Sequence, residues 1–66
     1  MQKEGQEPVK YIVEARMGDR WVALGSPHLV IEKAMQVKEA ALESTLYQDA
    51  RILVINSRKQ IVRILD

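Results

Sequence analysis

From Lys10 onward the chain alternates apolar and polar residues in two short runs. It then repeats them at helical spacing, and finally alternates again. The first run, Lys10 to Met17, carries the β-formers Tyr11, Ile12 and Val13, and the second, Arg20 to Gly25, carries Trp21, Val22 and Leu24. Gly18-Asp19 separates them, and Gly at the first central position is what a two-residue type II′ hairpin turn requires. Pairing Met17 with Arg20 sets Ala15 opposite Val22 and Val13 opposite Leu24. Tyr11, Val13, Ala15, Val22 and Leu24 then share one face. Ile12, Glu14, Arg16, Trp21 and Ala23 share the other, and a one-residue slip would exchange the two sets.

Ser26 to Leu46 predicts the only helix. Ser26 is a good cap, and Pro27 suits the first helical position because it has no N–H to leave unpaired. Val30, Ala34, Val37 and Ala41 form one apolar stripe, with Ile31, Met35, Leu42 and Leu46 in a second stripe beside it. Glu32, Gln36, Glu39 and Glu43 take the opposite side. The apolar arc spans roughly half the cylinder, wider than the stripe of about 100° typical of a surface helix. Lys38 stands within that arc. Its ammonium either reaches outward past its own methylenes, pairs with Glu14 or another carboxylate across a dimer seam, or is a tuned amine.

Arg51 to Asn56 is a third strand, Asn56 to Gln60 a polar turn, and Ile61 to Leu65 a fourth strand. Pairing Ile55 with Ile61 places Ile52, Val54, Val62 and Ile64 on one face, and Arg51, Leu53, Ile55, Ile61, Arg63 and Leu65 on the other. Two hairpins joined by one helix predict an α+β two-layer ββαββ sandwich with strand order 2-1-3-4. Residues 1–9 are expected to be a disordered tail and residues 10–66 a single domain.

One helix covers one face of such a sheet, and the second face should then read polar. It does not. Ile12, Trp21, Ala23, Leu53, Ile55, Ile61 and Leu65 fall there, with Arg16, Arg51 and Arg63 among them. Burying such a surface is worth roughly 25 cal/mol per Å², and apolar patches of this kind mark interaction surfaces. Ile12, Trp21, Leu53, Ile55, Ile61, Arg63 and Leu65 are therefore the expected interface residues, toward a second copy of the chain or another protein. Ile31, Met35 and Leu46 extend it from the wide helix arc.

Composition narrows the field further. A chain of 66 residues buries only about 60% of its unfolded surface and is marginal without a staple. It has no cysteine, which excludes disulfides and thiolate metal sites and fits a reducing cytoplasm. A single His, His28, shows no ligand spacing for a metal, so no cofactor is expected. His28 is expected at the surface or at the helix cap. No nucleophile–base couple, phosphate loop or metalloprotease motif is present, which points away from an enzyme.

Ten basic and nine acidic residues leave a net charge of +1, too balanced for binding driven by the global field. Nucleic-acid binding is the alternative: Arg16, Arg20, Arg51, Arg58, Lys59 and Arg63 lie in or beside the hairpins, with Trp21 as a stacking platform. Against it, a face of Ile and Leu cannot stack bases. The skeleton of Tyr11 to Arg16, Arg20 to Gly25, Ala34, Ala41 and Ala50 to Ile55 is similar in style to small ββαβ(β) proteins of bacteria, their phages and mobile elements. That resemblance implies an accessory protein that binds a host protein.

Overall fold

A computed structural model describes residues 8–66. Its elements are β1 (Lys10–Met17), β2 (Arg20–Ala23), α1 (Ile31–Glu43), β3 (Asp49–Ile55) and β4 (Ile61–Leu65). The strands make one antiparallel sheet in the order β2-β1-β3-β4. α1 packs on the two central strands, β1 and β3. The result is the expected α+β two-layer fold. Residues 1–7 of the expected tail lie outside the described residues, while Pro8 and Val9 lead into β1 without regular structure.

The first hairpin has the expected register, with Ala15 opposite Val22 and Met17 opposite Arg20. Gly18 takes φ +70° while Asp19 stays at negative φ, the combination a type II′ turn demands. The core between helix and sheet has two layers. Val13, Ala34 and Ile52 form the larger one, flanked by Tyr11, Leu24, Val37 and Leu65. Ala15, Ala41 and Ala50 form the other, closed by Leu24 and Tyr47. Three alanines in one layer let the helix approach the sheet closely there.

The helix begins later than its cap signals predict. Ser26 and Pro27 do not start it; the N-cap is Val30, with no side-chain cap bond. The reason lies on β1, whose β2-side edge extends beyond the four residues of β2. Leu24 N–H donates to Val13 O at 2.8 Å, the chain bows outward through Gly25 at φ +75°, and it returns at His28. There Tyr11 and His28 exchange both backbone bonds at 2.8 Å. Satisfying a strand's backbone groups outweighs a cap worth about 1 kcal/mol. The far end also stops early, at Glu43, where Ser44 turns extended and its N–H returns to Ala41 O. The chain must then bring Gln48 N–H onto Arg16 O, at 2.9 Å.

The second hairpin needs a larger correction. Ile55 does pair with Ile61, but Val54 pairs with Arg63, which makes Val62 the extra residue of a β-bulge. Beyond it the faces exchange. Ile64 stands opposite Leu53, and Leu65 opposite Ile52. Arg63 and Leu65, expected on the second face, therefore belong to the helix side, and Ile64 takes their place on the second face. The turn itself is held by Asn56, whose Oδ1 accepts from Arg58 and Gln60 N–H, each at 2.9 Å.

Candidate interaction surface

Among the described residues, nothing covers the sheet face away from α1. Across it run Ala23 and Trp21 on β2, Ile12, Glu14 and Arg16 on β1, Arg51, Leu53 and Ile55 on β3, and Ile61 and Ile64 on β4. It divides into a polar corner and an apolar field.

In the polar corner, Glu14 and Arg51 are direct cross-strand partners. Arg51 donates from Nε at 3.0 Å and Nη2 at 2.8 Å to one oxygen, Oε1 of Glu14. Its guanidinium also lies over the Trp21 ring, 3.9 Å from the centroid, where the ring quadrupole attracts it. One arginine thus ties three strands together, and it leaves Trp21 half-buried with one ring face occupied. This is the only ion pair among the described residues.

The apolar field centres on Leu53, which is buried although no other layer covers it. Its cross-strand neighbours Ile12 and Ile64 and its strand neighbour Ile55 shield it. Ile12 and Ile55 are half-buried, while Ile61 and Ile64 stand 55% and 48% exposed. Five of the expected interface residues, Ile12, Trp21, Leu53, Ile55 and Ile61, are together on this face. Ile64 was missed because nothing local in Ile61–Leu65 announces a bulge.

The helix side adds a second unfilled region. Met35 and Leu42 are nearly half-exposed on the flank of α1 toward β4. A cleft of about 130 Å³ opens there, lined by Met35, Lys38, Glu39, Ile52, Leu65 and Asp66. Lys38 is half-buried in its wall, and the carboxylate of Glu14 belongs instead to Arg51. Ile31 is half-buried under the helix start, and Leu46 is exposed in the loop after it. A larger depression of about 280 Å³ lies where β3 turns into β4, between Pro8, Leu29, Ile55 and Lys59. Its lining holds amines and amides but neither carboxylate nor imidazole.

His28 is half-buried, with Nε2 enclosed and without a hydrogen-bond partner. Its backbone, rather than its ring, holds the fold, so it is neither a helix cap nor a freely exposed side chain. The six basic residues of the nucleic-acid alternative do not converge. Arg16 and Arg20 flank the β1–β2 turn, with Arg16 Nη1 donating to Gly18 O at 3.0 Å. Arg58 and Lys59 sit at the opposite end of the sheet, Arg51 is neutralised by Glu14, and Arg63 faces the helix side. Among the described residues no group of acids, histidines and cysteines could hold a metal ion, and no helix is long and apolar enough to cross a membrane. Comparison with protein families, curated proteins and solved structures finds no match.

Proposed function

We propose that the chain is a small non-enzymatic protein-interaction domain whose working surface is the uncovered face of the sheet, docking a second copy or another protein. The observation that carries this reading is the apolar field of Ile12, Leu53, Ile55, Ile61 and Ile64, on a face that an antiparallel sheet normally gives to polar residues. A domain this short gains from covering such a surface, because its own core is small. Trp21 and Arg51, stacked on this face, are residue types enriched at interface hot spots.

The test is Ile55→Glu, which puts a charge within the field, beside Leu53, while leaving the helix-side core intact. Association, followed by light scattering over a concentration series, is expected to vanish while the helical circular dichroism signal persists. Association unchanged in this variant would overturn the proposal. Nucleic-acid binding is the second reading, and its best support is the exposed basic pair Arg58 and Lys59 at the β3–β4 turn. It predicts a salt-dependent shift on oligonucleotide titration that Arg58→Ala and Lys59→Ala weaken.

A further inference from the structure

β4 is the most unfinished element of the fold. It is hydrogen-bonded to β3 on one side, and its other edge is the end of the sheet. Ile61, Val62 and Ile64 are each about half exposed, and α1 does not reach over it. An unpaired edge, the uncovered face and the helix-side cleft therefore meet along a single strand. Such an edge is a template for another strand.

We infer that the occupant of this edge is a second copy of the chain, its β4 laid antiparallel on the first about a twofold axis at Ile64, so that two four-stranded sheets become one. The inference rests on the association reading above and names its partner and geometry. Register decides it. An incoming strand must set residues of like face opposite one another. Centring on Arg63 opposes two guanidinium groups and sets Ile61, of the uncovered face, against Leu65, of the helix face. Centring on Ile64 brings the two Ile64 side chains together on the uncovered face and puts Arg63 opposite the second copy's Leu65 on the helix face.

Charge supports the same register. Leu65 lines the cleft that also holds Glu39 and Asp66, and among the described residues none of Arg63, Glu39 and Asp66 enters an ion pair. The twofold presents each Arg63 to the acidic wall of the other copy's cleft, twice per dimer.

The test is the solution mass of the full chain over a concentration series, with circular dichroism to verify folding of each variant. The wild type is expected to reach twice the 7.6 kDa of one chain. Arg63→Glu should raise the dissociation constant on the order of tenfold or more. Adding Glu39→Arg to it should restore most of the loss, and Arg20→Glu, exposed on β2 at the opposite edge of the sheet, should leave the dimer intact. A dimer broken by Ile55→Glu but indifferent to Arg63→Glu would overturn the edge geometry while keeping the uncovered face as the working surface. A monomer throughout would overturn the inference, leaving that face for a different protein.

Discussion

The two hairpins solve the same problem differently. β1–β2 ends in a short strand of four residues, and its surroundings close around it: Arg51 clamps Trp21 and Glu14, His28 completes the edge of β1, and Gln48 Oε1 accepts from Gly18 N–H at 2.8 Å. β3–β4 has no comparable clamp. Its turn is knitted internally by Asn56, while its outer strand leaves three aliphatic residues in water on an unpaired edge. Both hairpins end in an edge strand, but the first holds its large side chain against Arg51, whereas the second leaves its aliphatic residues exposed. In this domain, edge protection is a property of each strand's neighbours rather than of the sheet as a whole.

The largest test of that contrast is at the strand pair both hairpins share. Ile52→Ala opens a cavity beside Val13 and Ala34 and should cost about 3 kcal/mol. Urea unfolding should shift equally by Trp21 fluorescence and by helical circular dichroism; separate transitions would mean that the hairpins unfold independently. Next comes one substitution made in two places. Ile12→Thr, half-buried on a central strand, should cost about 1.5 kcal/mol, whereas Ile64→Thr on the exposed edge should cost under about 0.5 kcal/mol measured at monomer concentrations. Equal costs would erase the distinction between the two strands.

Breaking the clamp should come below these. Glu14→Ala leaves Arg51 about one-quarter exposed and unpaired, and a pair this open to solvent is worth about 1 kcal/mol. Trp21 emission should shift as the guanidinium loosens, and an unchanged spectrum would argue against the stack. The smallest effect has the opposite sign. Lys59 sits at φ +64°, where a side chain is strained and glycine is not. Lys59→Gly should stabilise the second hairpin by about 0.5 kcal/mol, read as a small rise in the thermal midpoint.

The alternation of Tyr11 to Met17 with Arg20 to Leu24, and the spacing from Ala34 to Ala41, were enough to read the five elements, the first register and the strand order. Local chemistry dominates at those places. It failed where a distant group had the larger claim. Ser26 and Pro27 carry every sign of a helix start, yet the unpaired backbone of Tyr11 draws the segment into the ladder instead. Ile61 to Leu65 alternates without Gly or Pro, so the bulge at Val62 leaves no mark, and with it Arg63 and Leu65 change sides. Of the proposed working surface, Ile12, Trp21, Leu53, Ile55 and Ile61 were legible because they precede the bulge or lie on other strands. Ile64 was not.

The strand order also has a consequence for how the chain reaches this state. Each hairpin is local and can close within about 10 μs. The central pairing of β1 with β3, which sets Val13 beside Ile52, joins residues with the whole helix between them. Loop-closure entropy must be met before that pairing brings any return. Until it forms, the inner edges of β1 and β3 are as unpaired as β4 is in the finished fold. The slow step of folding is thus one strand edge finding another, and β4 keeps an edge of that kind in the finished fold.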